Sequence, residues 1–297
     1  MTVAVEAKPE LARKTYDIDV EDVTYLTHGS KSYLARLYKP KGAGPFPVMI
    51  DLHGGAWCNQ DRTGDAVLCE AMARSGIVVA ALDWRMPPDA AYPAALADIN
   101  YGVRWMKANA ARWNGTARQV GLVGISSGGH QAMLAAMRPA DSRYTAVTSA
   151  EVAGHDARVG CVVLCWPVID AVGRYRYARE WVARGGNPAQ LASVIPSHES
   201  FWGDEAAMIE GGPPQILERA EAVELPPVLY LQGDADLMHP RAQLDNFVRL
   251  YRERGGQLDL AIYPGEESGF ITREPKSPAH KADGTARIIA FVHRTLG

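Results

Sequence analysis

The sequence predicts an α/β chain, a mostly parallel sheet with helices on both faces. Three observations carry that reading. Strand-type runs alternate with helix-type segments, separated by short Gly/Pro punctuation. Two of the runs, GCVVLCWP and PVLYLQGD, are apolar almost without interruption, as central parallel strands buried on two sides must be. A third, QVGLVGI, runs straight into the turn GISSGG, with a helical stretch behind it.

In chain order, strands are predicted at VTYLTH, SYLARLYKP and PVMIDLHG, which make a strand-rich opening at the sheet edge. A helix near Ala66 to Arg74 follows, then the strand IVVAALDW. Apolar residues at Ala94, Ile99, Val103 and Met106 keep helical spacing and predict a helix from about Pro93 to Ala111. Next come QVGLVGI, the helix behind GISSGG, the two apolar strands, and finally LDLAIYPG. Between residues 168 and 215 the pattern breaks into RYRYAREW and SHESFWGDEAAM, too long for a simple crossover. It reads as an inserted helical cap over the C-terminal edge of the sheet, where open α/β sheets bind ligands.

Composition sets the outer limits. A chain of 297 residues, 47% hydrophobic and 22% charged, accommodates a single domain over 1–297 with the cap inside it, and excludes a fibre or a disordered chain. The net charge of -3 gives no basic field for nucleic acid or anionic lipid, so a small-molecule substrate is expected and a homo-oligomer is compatible. MTVAVEAKPELARK lacks the basic start and apolar core of a signal peptide, and no apolar run approaches the roughly 18 residues of a membrane span, which leads to the expectation of a cytoplasmic protein. Cys58, Cys69, Cys161 and Cys165 have neither metal-site spacing nor the density of a disulfide scaffold, and read as buried free thiols. With no metal cluster or phosphate loop in the sequence, no cofactor is implied.

The sharpest motif is Gly124-Ile125-Ser126-Ser127-Gly128, a G-x-S-x-G between strand and helix. A turn that tight leaves no room for side chains two positions either side of the serine, hence the glycines, and it lifts the Ser126 hydroxyl clear of the sheet as a nucleophile. Upstream, DLHGGAW follows an apolar strand, and the amides of Gly54 and Gly55 with that of Ser127 are candidates for an oxyanion hole. His53, opening that loop, reads as a residue that holds it by hydrogen bonding. Downstream, LQGDADLMHP ends a buried strand and offers Asp236 as the acid, with Asp234 as its competitor. The aromatic residues Trp57, Trp166 and Trp202, with Tyr175, Tyr177, Trp181 and Phe201, read either as the wall of an apolar or aromatic ligand site or as cap core.

With HGGAW, DWRMPPDAAYPAALADINYGVRW, GISSGGH, CWPVIDAVGRYRYA, GDAD, and YPG with GF in hand, the chain resembles the α/β-hydrolase superfamily, in particular the esterases similar to hormone-sensitive lipase and the related acetyl- and feruloyl-esterase-like group. The resemblance covers nearly everything after about residue 30. It implies the α/β-hydrolase fold and a carboxylic-ester hydrolase, or esterase, with a serine nucleophile. It also implies oxyanion amides from the HGG loop, Asp236 as the acid, and a histidine at the position of Ser268. Arg85, Pro93 and Asp98 match family positions that tie a helix to the sheet.

The departure is Ser268, in YPGEESGF: serine there cannot serve as a base. Either that histidine has been replaced, or another base serves, or the protein binds a small molecule without hydrolysing it. His239, three residues beyond Asp236, and Glu266 and Glu267 are the candidate bases. His239 precedes Pro240 at a helix start, which also suits a surface or capping residue. His130 reads as a packed histidine inside the elbow helix, and His198 and His280 carry no positional signal.

Overall fold

The computed structural model describes residues 15–185 and 189–297, so the stretch MTVAVEAKPELARK lies outside the described residues. Among the described residues eight strands form one sheet in the order β1-β2-β4-β3-β5-β6-β7-β8, where β1 is Ile18–His28, β2 Lys31–Pro40, β3 Phe46–Leu52, β4 Val78–Leu82, β5 Gly115–Ile125, β6 Val162–Cys165, β7 Val228–Gly233 and β8 Leu258–Tyr263. The pairs β1 with β2 and β2 with β4 are antiparallel, and the pairings from β4 through β8 are parallel. The opening edge is therefore antiparallel and the rest of the sheet parallel.

Central strands bury both faces, and successive side chains part into two cores. Val48, Ile50 and Leu52 of β3 join a core with Leu96 and Ile99 of α2 (Ala94–Asn109) and Met133 of α3 (Ser127–Met137). Met49 points the other way, into a core with Met72 of α1 (Ala66–Arg74) and Phe291 of a C-terminal helix, Pro278–Leu296. That helix, which is not among the sequence expectations, and another at Arg241–Glu253, whose start at Pro240 is, complete the layers. Cys69, Cys161 and Cys165 are buried, Cys58 is half-buried, and all four are free thiols. Among the described residues no helix is long and apolar enough to cross a membrane.

The segment between β6 and β7 consists of α4 (Ala171–Ala183), α5 (Ala189–Trp202), α6 (Glu205–Glu210) and α7 (Pro213–Glu218), so its helices end at Glu218, three residues past the expected 215. Their starts explain the broken periodicity: the Asp170 carboxylate accepts from the Gly173 amide at 2.9 Å and Asp204 from Ala207 at 2.8 Å, each an N-cap that begins a new helix.

The register aligns the ends of four central strands. Leu52 pairs with Gly124, and Ile125 with Cys165, while Cys165 pairs with Leu231. The loops after β3, β5, β6 and β7 thus open side by side at one edge. At the antiparallel side, Asp98 of α2 is fully buried and gathers the Arg85 guanidinium at 2.7 Å, the Arg85 amide at 2.9 Å and the His28 ring at 2.8 Å. This ties α2 to the strands beside it, the structural role expected of Arg85 and Asp98.

Removing that carboxylate leaves a partly buried guanidinium without its counter-charge. Asp98→Ala is expected to lower the unfolding free energy by roughly 2–4 kcal/mol, somewhat less than for a fully buried pair because Arg85 keeps some solvent. Denaturant midpoints check this, and a loss under about 0.5 kcal/mol, the scale of an ordinary surface change, would remove the clamp from the account.

Candidate active site

Ser126 occupies the single residue between β5 and α3, with φ 51 and ψ -115. The flanking glycines are required by contact. A Cβ on Gly124 would sit 2.4 Å from the Gly128 carbonyl oxygen, and one on Gly128 would sit 2.0 Å from that of Leu52 and 2.3 Å from that of His53. The turn is held by the Ser126 amide donating to Cys165 at 3.0 Å and by its carbonyl accepting from Val168 at 2.9 Å.

Gly128 packs on the very strand end that becomes the HGG loop, so elbow and loop are built against one another. Gly54 also packs on the elbow, less tightly, with a Cβ there 3.3 Å from the Ile125 carbonyl oxygen and 3.4 Å from Ser126 Cβ. Gly55 takes φ +97, and a Cβ there would lie 2.1 Å from the Asn59 carbonyl oxygen. The Trp57 amide donates to the Ser127 hydroxyl at 3.1 Å, a second tie between loop and elbow. Among the described residues, none accepts a hydrogen bond from the amides of Gly54, Gly55 or Ser127. His53 donates from Nδ1 to the Gly54 carbonyl at 2.8 Å and stacks on Trp84 at 4.0 Å; burial lowers its pKa to about 4, so it holds the loop in neutral form.

The imidazole is supplied by His239. Its Nε2 lies 3.1 Å from Ser126 Oγ, and its Nδ1 lies 2.8 Å from Asp236 Oδ2. With a carboxylate oxygen at Nδ1, that nitrogen carries the proton and Nε2 is left to accept from the serine hydroxyl. Asp236 Oδ1 accepts from the Met238 amide at 2.9 Å and the His239 amide at 3.2 Å, a tight turn that folds the ring back over β6 toward Ser126. The Gln232 side chain donates to the His239 carbonyl at 2.6 Å and fixes the far side of the turn. His239, one of the candidate bases, is buried, which corrects its alternative reading as a surface or capping residue.

The other candidates are engaged elsewhere. Asp234 is exposed and accepts from the Gly265 amide at 2.7 Å, binding the loop after β8. Burial works against the charged form of Glu266, yet bonds from the Lys276 amide (3.0 Å), the His280 ring (2.9 Å) and the Ser277 amide (2.8 Å) hold its pKa below the ordinary value. It anchors the start of the C-terminal helix. Glu267 is exposed and pairs with Lys276 at 2.7 Å. His130 donates to the Gly211 carbonyl at 3.0 Å and His198 to that of Val194 at 2.8 Å; burial lowers both to about 3.

Ser126, His239, Gly54, Gly55 and Ser268 all line one cleft of about 480 Å³. Trp166 lines it too, but Trp57 and Trp202 do not: both are buried in an aromatic cluster, Trp57 stacked on Phe201 at 5.5 Å and edge-on to Trp202 at 5.6 Å. Their expected contact with substrate is corrected to packing between the HGG loop and α5. Ser193, Val194 and Ser197 of α5 and Arg174 of α4 close the cleft from the other side. Arg174 is a residue the sequence reading leaves unremarked among RYRYAREW, since nothing in composition separates a buried arginine from a solvated one.

A family model described as BD-FAE matches residues 36–249. The chain is 28% identical to esterase LipC of Mycobacterium tuberculosis over 254 residues, covering 84% of this chain and 60% of that protein. It is 25% identical over 274 residues to an ethyl acetate hydrolase of Pseudomonas putida, covering 90% of this chain and 80% of that protein. Among solved structures, esterase B of Lactobacillus rhamnosis, inhibited by a tributyrin phosphonate, superposes with a TM-score of 0.74 at 18% identity, covering 97% of this chain and 88% of the other. The chain thus spans about three fifths of the length of LipC and of a second mycobacterial relative, LipM (60% and 61%).

Three of the buried histidines, His53, His130 and His198, make a prediction about pH. Their pKa values are lowered from 6.5 to about 3–4, so the folded state binds fewer protons than the unfolded one at acid pH. Their contribution is intact above the unfolded value of 6.5 and is lost as pH falls from there toward the folded values. The unfolding free energy is expected to drop between pH 7 and pH 5 by up to about 2 kcal/mol per histidine. Equal denaturant midpoints at the two pH values would contradict the buried, neutral assignment.

Proposed function

We propose, from the fact that the chain belongs to the BD-FAE family, that it hydrolyses carboxylic esters, with Ser126 as nucleophile, His239 as general base and Asp236 as the group that orients and stabilises the imidazolium. The chain has the α/β-hydrolase fold. The observation that carries the reading is the pair of short contacts, 3.1 Å from Ser126 Oγ to His239 Nε2 and 2.8 Å from His239 Nδ1 to Asp236. The names of the relatives, esterases and carboxylic ester hydrolases, support the reaction class.

In this scheme Ser126 Oγ attacks the ester carbonyl as its proton passes to His239 Nε2. The carbonyl oxygen takes negative charge and is met by the amides of Gly54, Gly55 and Ser127, each worth about 2.7–4 kcal/mol at the transition state. Collapse expels the alcohol, which takes the proton from His239, and leaves an acyl-serine. A water then attacks the acyl carbon as His239 takes its proton, and collapse breaks the acyl–Oγ bond, returns that proton to Ser126 Oγ and releases the acid. Position 268 needs no histidine, because the ring arrives from the loop after β7 instead. The α4–α7 segment acts as the cap. The substrate is a small ester; an apolar or aromatic acyl group has less support than the sequence suggests, since Trp57 and Trp202 pack elsewhere and Asn59, Gln60, Ser193 and Ser197 share the cleft wall with Trp166.

Hydrolysis of short p-nitrophenyl esters tests the assignment. Ser126→Ala and His239→Ala are each expected to lower kcat on the order of 10⁴- to 10⁶-fold, and Asp236→Asn about 10⁴-fold, with folding retained. Asp234→Asn should cost under about tenfold, and Ser268→His should gain under about tenfold, far below the 10² to 10⁴ of a newly placed base. If His239→Ala keeps the parent rate, or Ser268→His raises it by about 10² or more, the base is misassigned.

A further inference from the structure

Arg174 is 1% exposed, sits on α4 and lines the cleft that holds Ser126 and His239. Burying a guanidinium is costly unless a carboxylate accompanies it, by several kcal/mol per ion. Among the described residues no carboxylate pairs with it. Its partners are the neutral His198 ring, which receives its Nε–H at a long 3.4 Å, and the face of Trp57, 5.2 Å from its central carbon. Its Nη2 is buried and has no hydrogen-bond partner at all. Asp236 is the one carboxylate whose field it feels, but both oxygens of that side chain are committed to the turn and ring of His239.

We propose that Arg174 is a specificity-determining residue that binds a carboxylate on the substrate, so that the favoured ester carries a second, ionised carboxyl group, as in the monoester of a short dicarboxylic acid. The inference rests on the ester-hydrolase reading above. The guanidinium fork matches a carboxylate in the plane, and Nη1, which like Nη2 has no hydrogen-bond partner among the described residues but is not enclosed as Nη2 is, supplies the first of the bonds. Arg273, exposed on the cleft wall and without an ion-pair partner among the described residues, adds a second positive charge. The acidic groups on the same wall do not cancel this. Glu267 is neutralised by Lys276, and burial raises the pKa of Asp65 toward its uncharged form, against the pull of Arg273.

Calorimetry with glutarate and its neutral counterpart glutaramide, on the parent, Arg174→Met and Arg174→Lys, separates recognition from packing. The parent is expected to bind glutarate about 10- to 100-fold more tightly than glutaramide. Arg174→Met should erase that preference and Arg174→Lys restore part of it. Because methionine keeps the stem and removes an unpaired buried charge, its melting temperature should equal or exceed the parent's. The same proteins are assayed on methyl pentanoate and monomethyl glutarate in a pH-stat: Arg174→Met is expected to lower kcat/KM about 10- to 100-fold on the charged ester, through KM, and less than about threefold on the neutral one. Equal binding of glutarate and glutaramide by the parent, or equal losses on both esters, overturns the assignment. Turnover of methyl pentanoate in that case leaves the hydrolase reading standing, whereas Arg174-dependent glutarate binding without turnover of either ester overturns only the hydrolase reading.

Discussion

The whole cleft depends on a strand becoming a helix within one residue. Ser126 takes a left-handed backbone angle, φ 51, that costs a non-glycine residue on the order of 1–3 kcal/mol unless its surroundings impose it. Here they do. Cys165 and Val168 grip its amide and carbonyl, and Gly128 presses on the carbonyls of Leu52 and His53 at a distance no side chain could tolerate. The same contact brings the end of β3 beside the elbow, so the HGG loop has nowhere to go but across Ser126. Strain at Ser126 and placement of the loop amides are two results of one packing constraint.

Burial divides the histidines by chemistry. His53, His130 and His198 are enclosed, each spends one nitrogen on a backbone carbonyl, and burial keeps all three neutral. His239 is buried too, though less completely, and its two nitrogens face a carboxylate on one side and a hydroxyl on the other. In the proposed reaction the carboxylate would stabilise the imidazolium that forms, and none of the other three rings has a carboxylate partner. Arg174 is the converse case, a charge enclosed with too few partners, and such a group earns its place through what enters the cleft.

Much of this was legible in the residues, and the failures have physical causes. The central strands announce themselves because burial on two sides demands unbroken apolar runs, and the elbow because its glycines are sterically forced. β1 begins at Ile18, five residues before the expected VTYLTH, because its first half is an edge whose side chains face water and carry no apolar signal. The position of the imidazole was hidden for a different reason. His239 lies three residues beyond Asp236, and spacing alone does not say whether such a ring turns outward or back; the two amide bonds to Asp236 Oδ1 decide that, and they exist only once the loop is folded. The tryptophans around the cleft were ambiguous between substrate wall and core, and packing assigns Trp57 of the HGG loop and Trp202 of α5 to the core and Trp166, just after β6, to the wall.

The central claim is that His239 activates Ser126. Its most direct measure is the rate at which a fluorophosphonate labels the protein, with the modified residue located by mass spectrometry, in the parent and in His239→Ala. The account predicts a single adduct, on Ser126, formed at least about 10²-fold more slowly when His239 is replaced, the contribution of a positioned base. Labelling of Ser126 at the same rate in both proteins, or an adduct on another residue, would contradict it.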